Sequence, residues 1–257
     1  MIHSTMQILR KTFWFKNINS NPEAKIRLFC FHHAGGGASV FKPWLQHLPK
    51  EVEMCPILLP GRETRIKEKP YTSMERLLSR LSYEIEPFLD KPCAFFGHSM
   101  GSTISYELTR YLLKWEKPTP IQLFLSGRRA PHMPSNKPKI SELPHDEFLE
   151  ELREHGGTPE EVFESEELLE FVLPILRNDY RLLEHHEHIP GPPINIPITA
   201  FGGTEDNDVP IETIKGWEKY TSSNFNFELF PGGHFYIKSP NTKLVSRIGD
   251  HLLKLID

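Results

Sequence analysis

The segment Gly97-His98-Ser99-Met100-Gly101 constrains this chain more than any other, because an apolar run ending at Phe96 leads into it and a helix-like run starting at Ser102 leads away. A strand that turns sharply into a helix crowds its own backbone, and glycines two before and two after the serine remove the side chains that would collide. Such a turn pushes Ser99 out at the helix N-terminus, where Oγ is accessible and the helix dipole favours developing negative charge. The flanks, Pro92 to Phe96 before and Thr103 to Leu108 after, make a candidate nucleophile of what is otherwise a common five-letter pattern.

The rest of the chain alternates in the same way. Ile26–Phe31, Met54–Leu59, Cys93–Phe96, Ile121–Leu125, Ile196–Phe201 and Phe225–Phe230 read as six short strands, and helix patterns lie between or after them at 73–89, 102–114, 210–220 and 241–256. Strand and helix in regular succession predict an α/β fold, a mostly parallel sheet with helices on both faces. The alternation breaks once, after Leu125. A proline-rich loop (Pro131, Pro134, Pro138) and helical patterns at 144–155, 159–163 and 166–187 predict a helical lid inserted at about 132–188. Residues 25–257 are expected to form a single domain with this insertion, and the extension 1–24, with no assignable role, to pack loosely or move.

Charge follows the same division. Residues 141–190 hold 15 Asp and Glu against 3 Lys and Arg, so an acidic lid of −12 sits on a body of +8 within a net charge of −4. That balance argues against a general nucleic-acid binder. No apolar stretch reaches the ~18 residues of a membrane span, and Arg10 and Lys11 interrupt the apolar start, which lacks a signal cleavage site, so a cytoplasmic protein is expected. Cys30, Cys55 and Cys93, an odd number within or beside strand-like runs, read as buried free thiols.

A serine hydroxyl needs a base to take its proton and a carboxylate to hold that base. His234, in Pro231-Gly232-Gly233-His234-Phe235 just after the last strand, has the position and the flexible approach that a base requires. The carboxylate is expected after the preceding strand, in Gly202-Gly203-Thr204-Glu205-Asp206-Asn207-Asp208. Asp206 is favoured by its place in the tight turn, Asp208 is second, and Glu205 is expected to face solvent. A tetrahedral intermediate also needs two backbone N–H donors. Met100 supplies one by position, and the Ala34 amide, in the glycine-rich loop His32 to Ser39, is the candidate for the other. That loop lacks the lysine of a phosphate-binding loop. His185-His186-Glu187-His188 lacks a ligand set for a metal and reads as a solvated helix end, as does the acidic face from Glu160 to Glu170.

Together these residues resemble the type II thioesterases, stand-alone α/β hydrolases that serve peptide, polyketide and fatty acid synthases. The resemblance rests on Phe31-His32-His33-Ala34-Gly35-Gly36, Leu59-Pro60-Gly61-Arg62-Glu63, the elbow itself, Ser126-Gly127-Arg128-Arg129-Ala130-Pro131, Gly156-Gly157-Thr158-Pro159 and Pro231-Gly232-Gly233-His234-Phe235, and it runs from about Lys25 to the end. His32, where many relatives carry proline, departs from the pattern. The resemblance implies an α/β-hydrolase fold, a triad of Ser99, Asp206 and His234, and an oxyanion hole of Met100 and Ala34. It further implies editing of acyl thioesters on the phosphopantetheine arm of acyl or peptidyl carrier proteins, with no cofactor beyond that arm, no metal, and no nucleic-acid or membrane partner. A monomer is the default. The basic residues Arg62, Arg65, Lys67, Lys69, Arg128, Arg129, Lys137 and Lys139 are the expected docking set for an acidic carrier. A medium-chain fatty acyl thioesterase, a small-molecule carboxylesterase and, last, a non-catalytic carrier-binding partner are the alternatives.

Overall fold

Alternation along the first strand, β1 (Ile26–Phe31), decides the layering. Ile26, Leu28 and Cys30 pack into one apolar cluster and Phe29 and Phe31 into another, as the two-residue period of a strand requires. A strand buried on both faces needs a cover on each side and suits the interior of a parallel sheet. The computed structural model describes residues 13–15, 21, 23–134, 139–238 and 242–256. Among these, β1 is joined by β2 (Val52–Pro56), β3 (Cys93–His98), β4 (Gln122–Ser126), β5 (Ile198–Gly203) and β6 (Phe225–Phe230). They form one parallel sheet in the order β2-β1-β3-β4-β5-β6. The register pairs Phe31 with Gly97, His98 with Ser126 and Gly203 with Phe230. It therefore brings the C-terminal ends of the central strands, and the loops that follow them, to one edge.

Helix α1 (Met74–Ile85) starts at Ser73, whose side chain accepts the Arg76 N–H, and α2 (Met100–Lys114) starts at the elbow. Leu77, Leu81, Ile104, Leu108 and Leu112 cover the Phe29 and Phe31 face. Between β4 and β5 lie α3 (His145–His155), α4 (Glu160–Phe163) and α5 (Glu166–Glu184). These carry a small apolar cluster of their own around Phe148, Leu152, Phe163 and Leu176, which accounts for their separate sequence signature. Helix α6 (Ile211–Lys215) joins the α1 and α2 side through Ile214. Helix α7 (Thr242–Leu253) and a 3-10 segment, Ala38–Gln46, cover the opposite face with Leu244, Ile248, Phe41 and Trp44.

Boundaries shift where backbone chemistry intervenes. The helix expected to reach residue 89 ends at Ile85 and tightens into a 3-10 turn, Glu86–Phe88, at Pro87, which has no N–H to donate. The helix expected over 210–220 likewise becomes 3-10 from Gly216. The strand expected to run to Leu59 stops at Pro56, and Ile57 bridges antiparallel to Phe15 instead. Loose packing is corrected at that point of the extension: Trp14 and Phe15 are buried, with Phe15 against Phe29 and Phe88. The three cysteines are free and buried, and burial pushes their thiols up, Cys93 to about 12.

The elbow is the tightest place in the sheet. A Cβ on Gly101 would land on the Phe31 carbonyl, and one on Gly97 on the Gly101 backbone, so neither neighbour can give way by a rotamer change. Gly101→Ala is expected to destabilise the protein by roughly 3 kcal/mol or more in urea denaturation. Gly156→Ala, at φ 64° with open space around it, should cost only about 1 kcal/mol. Equal midpoints for the two variants would contradict this account of the elbow.

Candidate active site

Ser99 has φ 53° and ψ −111°, a conformation that a residue with a side chain adopts only when its surroundings enforce it. Three contacts do so. The Ser99 N–H donates to the Ser126 carbonyl at 2.8 Å, the Ser102 hydroxyl donates to the Gly97 carbonyl at 2.7 Å, and the Ser126 N–H donates to the Ser102 Oγ at 3.0 Å. Ser102, invisible as a site residue in the sequence, thus ties β3, α2 and β4 together beneath Ser99.

His234 follows β6 and Asp206 follows β5, and the pairing of these strands brings the two side chains together. The Nδ1 of His234 lies 2.7 Å from the Asp206 Oδ2. An ionised carboxylate only accepts, so this bond puts the ring proton on Nδ1 and leaves the Nε2 lone pair available. The other oxygen, Oδ1, accepts the Asp208 and Val209 N–H groups at 3.0 and 3.1 Å. Asp206 therefore closes the turn that holds it. Of its two rivals, Asp208 serves that turn as a backbone donor while its side chain lines the cavity beside His155, and Glu205 is exposed.

Ser99 and His234 line one cavity of about 370 Å³, with Ala34, Gly127, Arg128, Arg129 and Phe235 around it and Tyr180, Leu183 and Glu184 of α5 above. Met100 is the first residue of α2, so its N–H is one of the helix's unpaired N-terminal donors. Ala34 borders the same cavity from the loop after β1. A smaller recess of about 150 Å³ shares His33, Ala34, His155, Tyr180 and Phe235 with it and includes Leu152, Val162, Val172 and Leu176 of the inserted helices in its lining.

The imidazoles near the site differ in environment. His32, His33 and His98 are buried, and desolvation drives their pKa values down, to about 3 for His32 and about 4 for His33. These three are neutral at ordinary pH. His32 turns its Nδ1 to the His33 carbonyl at 2.8 Å, a hydrogen bond that stiffens the loop.

The expected docking set separates into three groups. Arg62 and Arg65 are corrected, because both are buried. Arg62 pairs with Asp179, while Arg65 bonds the Leu58 carbonyl and Glu68 and lies over the Trp14 ring. Arg128 and Arg129 are half-buried at the cavity, where burial lowers their pKa values, that of Arg128 to about 10. Lys67, Lys69 and Lys139 are exposed, and Lys137 lies outside the described residues. Charge counting could not tell these groups apart, since the carboxylate that draws Arg62 inward is 117 positions away. The solvated helix end is also corrected at His188, which is half-buried and sits 2.7 Å from Glu107 of α2. Among the described residues, no helix is long and apolar enough to cross a membrane and no group of three or more His, Cys, Asp or Glu side chains is placed to hold a metal ion.

Comparison with known proteins agrees with this geometry. The thioesterase domain family matches residues 26–252. The gramicidin S biosynthesis protein GrsT of Aneurinibacillus migulanus is 41% identical over 90% of this chain and 91% of its own length. The human medium-chain S-acyl fatty acid synthase thioesterase is 33% identical over 95% and 92%. The thioesterase RedJ of the prodiginine pathway in Streptomyces coelicolor superposes with a TM-score of 0.84 at 33% identity, covering 90% of this chain and 92% of RedJ. A parallel sheet with an elbow serine, a carboxylate-bound histidine and matches of this extent place the chain in the thioesterase domain family, among the type II thioesterases of the α/β-hydrolase superfamily, enzymes that hydrolyse acyl thioesters.

Proposed function

We propose that this enzyme clears acyl groups from the phosphopantetheine arms of carrier-protein domains in a peptide or polyketide synthase, using Ser99, His234 and Asp206. The observation that carries the mechanism is the hydrogen bond from His234 Nδ1 to Asp206, which leaves Nε2 for the serine proton at a cavity that Ser99 also lines. Ser99 Oγ attacks the thioester carbonyl as His234 takes its proton. The oxyanion is received by the Met100 and Ala34 N–H groups, and the thiolate leaves with the proton from His234. A thiol ionises near pH ~8.5, so its departure asks for less acid assistance than that of an amine. Water, activated by the same imidazole, then releases the acid. The chemistry asks for no cofactor beyond the arm that the substrate carries.

Two features favour editing over termination of a medium-length fatty chain. GrsT, named for gramicidin S biosynthesis, is 41% identical to this chain, against 33% for the human medium-chain fatty acid synthase thioesterase. The cavity wall also holds Arg128, Arg129, Lys139, Glu184 and Asp208. A long alkyl chain laid against so many polar groups would desolvate them without supplying partners, whereas a short or polar acyl group would not. An acidic carrier would meet the exposed Lys67, Lys69 and Lys139 and avoid the acidic inserted segment.

Ser99→Ala is expected to abolish both thioester hydrolysis and labelling by a fluorophosphonate. Asp206→Asn, which disturbs the tautomer of His234, should lower kcat by about 10³ to 10⁴. Undiminished turnover in either variant would refute the assigned roles. In the docking reading, Lys67→Glu with Lys69→Glu lowers kcat/KM on an acyl-carrier substrate at low salt and leaves a small thioester unaffected, with the difference fading as salt rises. Unchanged rates on the carrier would place docking elsewhere.

The buried histidines set a pH dependence of stability. His32 and His33 have folded pKa values of about 3 and about 4 against 6.5 when unfolded, so between these limits the unfolded chain binds more protons. Stability is then full above pH ~6.5 and falls as pH drops, by ~1.4 kcal/mol per pH unit for each histidine. Urea midpoints measured from about pH 7 to about pH 4.5 should decline accordingly. His33→Gln should flatten the slope by one proton, and an unaltered slope would contradict the assignment.

A further inference from the structure

The chemistry above leaves unused a buried ion pair that joins the inserted helices to the loop after β1. Arg62 Nη1 donates to Asp179 Oδ2 at 2.7 Å and Arg62 Nη2 to Asp179 Oδ1 at 2.8 Å, the parallel fork in which a guanidinium holds a carboxylate most firmly. Arg62 is 4% exposed and Asp179 1%. Arg62 belongs to the loop after β2 and Asp179 to α5, so three separate segments meet here. The Gly35 N–H donates to Asp179 Oδ2 at 2.8 Å, and Arg62 Nη1 also donates to the Gly36 carbonyl at 3.0 Å. Gly35 has φ 72°, and a side chain on it would run into Leu176, one turn before Asp179 on α5.

The consequence for Ala34 follows from peptide geometry. The N–H of Ala34 belongs to the His33–Ala34 peptide, whose carbonyl is held by the Gly36 N–H at 3.0 Å and by His32 Nδ1 at 2.8 Å. In a trans peptide the N–H points opposite the carbonyl. The grip on the carbonyl therefore aims the N–H, and Gly36, which provides that grip, is itself held by Arg62. The next peptide, Ala34–Gly35, has its N–H fixed by Asp179 and its carbonyl fixed by His33 Nδ1 at 2.9 Å. Both peptides flanking Ala34 are thus oriented through the Arg62–Asp179 pair.

We propose that Arg62 and Asp179 are positioning residues for the oxyanion hole, so that α5 is a working part of it rather than a passive cover. With α5 seated, the Ala34 N–H faces the cavity. When α5 lifts, Gly35 loses its acceptor, Arg62 loses its counter-ion, and the loop is released, so access and catalytic competence alternate. This rests on the triad and oxyanion assignment proposed above and adds the residues that hold it in place.

A merely structural salt bridge and a positioning one respond differently to replacement of both partners. An apolar pair of similar volume commonly preserves stability when it replaces a buried ion pair. With methionine in place of Arg62 and leucine in place of Asp179, however, Gly35 has no acceptor and Gly36 no donor. The test is therefore the double variant Arg62→Met with Asp179→Leu, alongside the isosteric Asp179→Asn and, as a control, Arg177→Gln. Arg177 bonds the Ser141 and Leu143 carbonyls within the inserted segment, away from the loop. Three readouts are taken: thermal midpoint, rate of Ser99 labelling by a fluorophosphonate, and kcat and KM on a short acyl thioester of N-acetylcysteamine.

The expected result is a double variant that melts near the wild type, labels and turns over at least about tenfold more slowly, and keeps its KM. Asp179→Asn, whose remaining amide oxygen can still accept from Gly35 but cannot fork with Arg62, should show a smaller loss of the same kind, and Arg177→Gln should show none. A folded double variant with wild-type labelling and kcat overturns the proposal, as does an equal loss in Arg177→Gln. If the double variant fails to fold, a folded Asp179→Asn with undiminished labelling overturns it. Wild-type enzyme that labels but does not hydrolyse the thioester would sink the functional reading alone, because the labelling ratios still judge the positioning role.

Discussion

Everything at this site depends on three backbones passing within contact distance of one another: the end of β1, the elbow after β3 and the first turn of α2. The Phe31 carbonyl lies where a Cβ of Gly101 would be, and the Gly101 backbone lies where a Cβ of Gly97 would be. Only this closeness lets the loop after β1 present its amides beside a serine that belongs to another strand. It also explains why Ser99 tolerates a positive φ, since Ser102 and Ser126 hold the chain on either side. At the elbow the strain falls on Ser99 itself, the residue whose side chain the turn presents to the cavity.

Electrostatics around this point are arranged by burial more than by charge. Three histidines within the shell are kept neutral because the site excludes water from them. His234 instead hydrogen-bonds a carboxylate, that of Asp206. Arg128 and Arg129 reach the cavity with pKa values lowered by burial, so they bring poorly solvated guanidinium groups to its lining. Such groups interact strongly with any carbonyl or carboxylate that replaces the missing water.

Much of this architecture was legible in the sequence because the informative signals were local. Strand alternation, the glycines around Ser99, the order of Ser99, Asp206 and His234, and the acidic block of inserted helices each depend on near neighbours. Signals that require distant partners were not legible. Arg62 reads as a surface cation until Asp179 is known to face it, and Arg65 until Trp14 does. Ser102 looks like an ordinary helix residue. The burial of Trp14 and Phe15 rests on distant partners, Tyr71 and Arg65 for one and Phe29, Phe88 and the bridge to Ile57 for the other, which no periodicity announces. Among Glu205, Asp206 and Asp208 the sequence favoured Asp206 by its place in the turn, and it is the Asp206 side chain that lies 2.7 Å from His234.

Asp206 illustrates how two demands can fall on one short side chain. One oxygen ties off its own loop and the other steadies the imidazole. A glutamate there would keep the negative charge but add a methylene, moving the anchor point of both bonds. At this position the reach of the side chain matters as much as its ionisation, and a like-charged homologue is not an equivalent.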